Sequence, residues 1–287
     1  MKYREEVMRI KLVADSSANL FTFENADFSS APMRIIAGEK EYIDDESLDA
    51  QQMMKEMKEY KGKSSTACPG VGDWLDAFDG ADIVYGVAIT SQLSGAYNAA
   101  IIAAEQYMEE NPGKKVFILD SLSTGPEMVL ILEKYRELIA EGKGFEEVCE
   151  AIKEYHKHTN LFFALESVDN LAKNGRVNSI IAKAVGILGI RIVGRAESGK
   201  LEQMHKCRGE KRELQQIVAS MKDMGCNGKK IRLTHSYNDA AANKLAEMIK
   251  AEYPECDISV DYNHALCCFY SEEGGIILAF ESDKINK

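Results

Sequence analysis

The sequence predicts an α/β protein in which an N-terminal domain (residues 1–158), a parallel sheet in three layers, is joined to a C-terminal α+β domain (residues 159–287). Three observations carry this. Strands and helices alternate from residue 10 to about 158, the order that builds a parallel sheet with helices on both faces. Beyond that point the alternation gives way to a hairpin and grouped helices. Finally, strands of the first half run into serine- and threonine-rich turns, and ligands of open α/β sheets bind at the carboxyl ends of strands.

A short charged lead precedes the strand "RIKLVAD". "MRIIAG" and "KEYID" form a short strand region, and "DAQQMMKEMKEY" spaces its apolar residues as an amphipathic helix. "SSTACPG" reads as a loop, with Pro69 placed where a first helical turn tolerates it, before the helix "VGDWLDAF". "ADIVYGVAIT" is a buried strand, "GAYNAAIIAAEQYMEE" a helix stopped by "NPG", and "KKVFILD" a strand before the long helix in "GPEMVLILEKYRELIAEG". In the second half "NLFFALES" is a strand, "VDNLAKNGRV" a short helix ending at a glycine turn, and "NSIIAKAVGIL" another helix. "IRIVGRAESGKLEQMHKCR" turns as a hairpin at "ESGK". "GEKRELQQIVASMKDM" and "DAAANKLAEMIKAEY" are helices around the strand "KKIRLTHSY", and "CDISVDYN" and "GGIILAFE" are the last strands.

With 287 residues, 45% of them hydrophobic and 28% charged, the chain has the makeup of a globular protein with real cores. Its net charge of -11 argues against general nucleic-acid binding or docking on an anionic membrane. The longest apolar stretch carries Lys183 and Arg191, so no membrane span is expected, and no secretory leader is read at the start; a cytoplasmic protein is expected. Seven cysteines without a C-x-x-C pair suggest neither a disulfide framework nor a zinc or iron–sulfur site, and no metal or cofactor is expected.

Candidate site residues lie in the hydroxyl-bearing turns: Ser16-Ser17, Ser64-Ser65-Thr66, Thr90 to Ser94, and Ser121. Neutral donors of this kind suit a carboxylate or phosphate held without a metal cage; no P-loop, G-x-G-x-x-G or H-E-x-x-H motif is present. Ser94 with Gly95 has two readings. Ser94 is a good N-cap for the following helix. A hydroxyl at a helix N-terminus also helps to hold an anion. Cys68, near a helix start, is a candidate nucleophile with no base beside it in sequence. His235 and His264 read as structural. Lys173, Arg176, Lys183, Arg191 and Arg195 form an acid-free basic stretch that suits either a partner surface or a solvated face, and "IIAKAVGILGI" suits either a lipid tunnel or a core.

Several of these segments, in order from about residue 10 to 210, resemble one family. "VADSSANL" is similar to T-D-S-T-A-D-L, "YIDDESL" to a Y-x-D region, "SSTACPG" to S-T-S-Q-P-S and "SQLSGAYNAA" to S-x-L-S-G-T-Y-x-x-A. "ILDS" is similar to V-x-D-S, "LAKNGRV" to L-x-K-G-G-R-I and "GILGIRIV" to L-x-I-K-P-I-L. These are signatures of the bacterial DegV family of fatty-acid-binding proteins. The resemblance implies a long-chain fatty acid between two domains, its carboxylate on Thr66 and Ser94, with Ser94 both cap and ligand. It also implies a non-catalytic, acyl-carrying subunit that presents the carboxylate to a separate ATP-using fatty acid kinase subunit. Arg176, at the G-R position, falls to that partner. Ser65, Gly95, Ser16, Ser121, Tyr270 and Ser271 are further pocket candidates.

Departures from the family pattern are equally visible. Ala96 stands where threonine is usual, Asn174 replaces the first glycine of the G-G-R turn, and the C-terminal H-T-G-P-G is absent. Aligning "YSEEGGIILAFE" there puts Tyr270 or Ser271 at the histidine that supports the head group, beside Glu272 and Glu273, which brings the usual ligand and its phosphorylation into question. Two other classes stay open: an acyl-transfer or hydrolytic enzyme using Ser94 or Cys68 with a distant histidine, and a hydroxyketone-binding protein, as in the dihydroxyacetone-kinase-like proteins of similar fold.

Overall fold

The computed structural model describes residues 8–177 and 189–285. The expected helix "NSIIAKAVGIL", Lys183 and most of the expected tunnel lining "IIAKAVGILGI" lie outside them. Four parallel strands form the first sheet, in the order β2 (Asp27–Ala31), β1 (Ile10–Asp15), β6 (Ile83–Ala88), β7 (Lys115–Asp120). Helices α2 (Val71–Phe78) and α3 (Ala96–Glu110) pack together on it, as do α4 (Pro126–Ala140) and α5 (Phe145–His156). Tyr135 of α4 and Phe145 of α5 stack on Tyr85 of β6. The apolar runs of β1 and β6 follow from cover on both faces.

A second sheet has six strands, ordered β10 (Lys200–Arg208), β9 (Ile190–Glu197), β8 (Thr159–Leu165), β13 (Ile276–Ser282), β11 (Cys226–His235), β12 (Asp257–Tyr262); only β11 and β12 pair in parallel. Its mixed pairing with helices α7 (Glu210–Asp223) and α8 (Asp239–Glu252) on one face is the expected α+β arrangement. Helix α4 packs against both this sheet and the parallel one, tied by Arg232, whose guanidinium donates to both oxygens of buried Glu133 at 2.8 and 3.0 Å. Side-chain alternation divides β8 and β13. Phe162, Ala164, Ile276, Leu278 and Phe280 enter the core under α7 and α8, while Leu161, Phe163, Leu165 and Ile277 face the other way.

A third, small sheet is antiparallel, ordered β4 (Lys40–Ile43), β3 (Arg34–Ala37), β5 (Ser64–Ala67), with α1 (Ala50–Glu59) joining β4 to β5. β5 corrects the loop expected at "SSTACPG": Ser64 to Ala67 satisfy the backbone of β3 that would otherwise be an open edge. Three elements had no expected counterpart. β2 is a short, half-exposed edge strand, α5 follows α4 after a short turn at Gly142, and α9 (Ala265–Ser271) carries "ALCCFYS". That last helix touches every layer. Leu266 enters the N-terminal core, Cys267 packs on the free face of the six-stranded sheet, and Ala265, Cys268 and Phe269 pack on the small sheet and α1.

Candidate functional site

A cavity of about 330 Å³ opens between the free face of the six-stranded sheet and the ends of β5, β6 and α9. That volume is at the lower end of ligand pockets, roughly 300–1,000 Å³. Its apolar wall is Leu161, Phe163, Leu165 and Ile277 from the strands, with Met33, Leu171, Leu201 and Leu266 around them. Its polar groups are Thr66, Ser94, Thr124, Tyr270, Ser271 and one charged residue, Arg176; no carboxylate lines it among the described residues.

Thr66 and Tyr270 share a hydrogen bond of 2.7 Å, bridging β5 and α9. Burial pushes the Tyr270 phenol above its usual range, with the Thr66 hydrogen bond and the Arg176 charge pulling the other way. Arg176 arrives by the end of α6 (Asp169–Lys173). Its N–H donates to Leu171 O at 2.8 Å and that of Gly175 to Ala172 O at 3.1 Å, with Gly175 at φ 71°. This is a Schellman turn, and it folds Arg176 back over Leu171, itself a cavity residue. Arg176 therefore lines the cavity, in addition to the partner contact expected of it. Asn174 has φ -97°, so the glycine missing there is not required.

Ser94 lies beside the cavity, one residue before the helix cap. Gly95 occupies the N-cap of α3, and Ser94 Oγ accepts from Ala96 N at 3.2 Å. The expected N-cap is thus shifted by one, because Gly95 takes the cap position without a side chain. The Ser94 hydroxyl proton has no acceptor among the described residues. Ala96 is fully buried in the core, where a threonine hydroxyl would need a partner. Cys68 also lines the cavity, close enough to Gly95 that a Cβ there would lie 3.3 Å from its sulfur.

The remaining hydroxyls are committed elsewhere. Ser16 donates to Asp44 Oδ2 at 2.9 Å and accepts from Met33 N at 3.0 Å. Ser121 donates to Ser123 O at 2.9 Å. Neither lines the cavity, nor does Ser65, which pairs with Ile36 in the small sheet. The turns after β1, β6 and β7 do share one sheet edge, yet burial and internal partners keep Ser16 and Ser121 out of the cavity, and the turn after β7 reaches it only at Thr124. Thr90 donates to Gly199 O at 2.9 Å, binding the β6 turn to the β9–β10 hairpin. Ser271 is buried and donates to Cys267 O at 2.6 Å, with only its edge on the cavity.

The two acids after Tyr270 point away. Glu272 accepts from Asn170 N at 3.0 Å and Glu273 pairs with Lys58 at 2.9 Å, both in a separate cleft. Three residues of the basic stretch are paired by the fold: Arg191 with Glu166 and Glu213, Arg195 with Glu197, and Lys173 with Asp169. None of the five histidines lines the cavity; His156 bonds Ser121 O, His205 bonds Ser220, and His264 packs on Phe21. Two buried carboxyls were not singled out by sequence. Burial raises Asp15 to about 6 and Asp44 to about 7. Asp15 accepts from Ile89 N at 2.7 Å, holding the β1 and β6 ends together.

Residues 9–282 match the model described as "Uncharacterised protein, DegV family". A DegV domain-containing protein of Streptococcus pneumoniae is 40% identical, over 96% of this chain and 100% of that one. Among solved structures, a DegV family protein from Eubacterium eligens loaded with heptadecanoic acid is similar at a TM-score of 0.93 and 43% identity, covering 96% of this chain and 100% of that one. The Streptococcus pneumoniae fatty acid kinase B3 protein, loaded with linoleic acid, is similar at a TM-score of 0.93 and 40% identity over 96% and 100% of the two chains. The chain belongs to the DegV family.

Proposed function

We propose that the protein binds a long-chain fatty acid between an N-terminal domain (1–158) and a C-terminal domain (159–287) and presents its carboxylate to a separate kinase subunit. The observation that carries this is the composition of the cavity: an apolar wall, the hydroxyl groups of Thr66, Ser94, Thr124, Tyr270 and Ser271, and a single guanidinium with no competing carboxylate among the described residues. Thr66, Ser94 and Tyr270 donate to the head group, and Arg176 supplies its counter-charge. Opening the Thr66–Tyr270 hydrogen bond frees both hydroxyls for the carboxylate. Leu161, Phe163, Leu165 and Ile277 receive the acyl chain, where burying each methylene is worth about 0.8 kcal/mol.

The protein carries its ligand and does not convert it. A nucleophilic Ser94 or Cys68 would need a base within hydrogen-bond reach, and the histidines serve other elements. The fatty-acid-loaded relatives, one of them a fatty acid kinase B3 protein, support the same reading. Arg176 is half-exposed, so it also remains available to the kinase subunit at the mouth of the cavity. No helix among the described residues is long and apolar enough to cross a membrane, and the cysteines are free, which suits a reducing cytoplasm.

The test is extraction of the purified protein with organic solvent, followed by mass spectrometry. The expected result is a long-chain fatty acid near one per protein, lost from the Ser94→Ala, Thr66→Ala double variant. Absence of any fatty acid, combined with no uptake of added fatty acid, would overturn the assignment.

A further inference from the structure

We propose that Asp44 is a positioning residue for the head-group site, holding α9 so that Tyr270 meets Thr66. The carboxylate follows β4 directly and is buried, 1% exposed. It accepts from Ser16 Oγ at 2.9 Å and from the N–H groups of Ala265 and Leu266 at 3.0 and 3.2 Å. Those are the first two residues of α9. A helix of seven residues does not hold itself in place, so its position is set by what it touches.

Those contacts form a clasp. Asp44 leaves β4, which pairs with β3, and β3 pairs with β5, which carries Thr66. One small sheet therefore grips α9 at its N-terminal amides through Asp44 and at its far end through the Thr66–Tyr270 hydrogen bond. The two grips are about 7 Å apart along the helix axis at 1.5 Å per helical residue. An unpaired carboxylate in such a place is costly unless its acceptors are filled, and here the helix amides and the Ser16 hydroxyl fill them. Asparagine in its place would turn an N–H toward an amide N–H or surrender the Ser16 bond. This also gives a role to the "YID" part of the "YIDDESL" motif, which the head-group contacts leave without one.

The proposal rests on the reading that Thr66 and Tyr270 hold a fatty-acid head group, and two readouts separate them. The first is palmitate affinity of the wild type, Asp44→Asn, Tyr270→Phe and the double variant. Each single is expected to weaken binding roughly tenfold, and the double no more than either single, because Asp44 acts through Tyr270. The second needs no ligand. Cys267 and Cys268 sit buried on α9, and their labelling by a thiol reagent, mapped by mass spectrometry, is expected to be at least tenfold faster in Asp44→Asn. Leu245→Ala, a core truncation in α8 remote from the clasp, sets the labelling background from general destabilisation and should leave palmitate affinity unchanged. Should Asp44→Asn not fold, Ala265→Pro removes one of the two helix N–H donors at a position that tolerates proline, since His264 is extended. It should move both readouts in the same direction.

Unchanged labelling of Cys267 and Cys268 relative to the Leu245→Ala background would overturn the proposal whatever the ligand. So would affinity losses that multiply in the double variant. Faster labelling with no palmitate binding by the wild type would instead retain the clasp and remove the head-group reading.

Discussion

Ser16 and Ser94 are similar in sequence and opposite in use. Each follows the carboxyl end of a parallel strand, and each could hold an anion there. Ser16 is fully buried, gives its proton to Asp44 and receives one from Met33, so its hydrogen-bonding capacity is spent on the fold. Ser94 is half-exposed and lines the cavity, and its oxygen accepts from Ala96 while its proton has no acceptor among the described residues. The difference is accounting of donors and acceptors: a hydroxyl becomes a binding group when the fold leaves one of its bonds unmade.

The same contrast generates predictions, the largest first. Arg176→Glu would place a like charge beside the head group; fatty-acid affinity should fall by more than a hundredfold, with little change in thermal stability because no carboxylate partner of Arg176 is lost among the described residues. Isothermal titration of the variant checks this, and near-normal affinity would return Arg176 to the partner surface alone. Thr66→Val keeps the shape of β5 and removes one donor to a charged group, worth about 1.5–3 kcal/mol, so binding should weaken roughly 10- to 100-fold. Retention of wild-type affinity would put the carboxylate elsewhere in the cavity.

On the structural side of the comparison, Ser16→Ala leaves Met33 N without its acceptor, while Asp44 Oδ2 keeps only the N–H of Leu266. A buried group left unsatisfied costs about 1–3 kcal/mol, readable as a drop in urea midpoint, while the α9 amide bonds to Asp44 remain. A pH effect follows from the same pocket of buried acids. Asp15 and Asp44 titrate at about 6 and about 7 in the folded chain, whereas an unfolded carboxyl titrates near 3.9. The folded state binds these protons more tightly, so their stabilisation is full below about pH 4 and is lost as pH rises through 6 and 7. Compared with Asp44→Asn, the wild type should therefore lose stability between pH 5 and 7.5. Parallel curves for the two proteins, from urea unfolding at several pH values, would contradict it.

Much of this was legible in the sequence, and the reasons differ by residue. β1, β6 and β7 announce themselves because strands covered on both faces must be apolar throughout, and the "SQLSGAY" turn announces Ser94 by its hydroxyls before a helix. α9 was not legible: "ALCCFYS" is apolar on every side because three layers surround it, so it shows no helical period, and nothing in it signals a cap. β5 was hidden because four small, mostly hydroxyl residues look like a loop until β3 needs a partner. The direction of Arg176 depends on the turn at Gly175, which the sequence marks as a turn without saying which way it points. The acids at 272 and 273 were legible as charges but not as partners, since Asn170 and Lys58 are far away in the chain.

The most direct measurement is a paired one: palmitate titration and thermal unfolding of Ser94→Ala beside Ser16→Ala. The account predicts that Ser94→Ala loses about 10- to 100-fold in affinity, the worth of one hydrogen bond to a charged group, while its melting temperature stays close to wild type. Ser16→Ala should do the reverse, keeping its affinity within about twofold, well under the 1.4 kcal/mol of a decade, and melting several degrees lower, at roughly 2–4 °C per kcal/mol for a domain of this size. Equal affinity in both variants, or a Ser94→Ala protein that melts lower and binds normally, would mean that the serine before α3 only shapes the helix start, and the head group is held elsewhere.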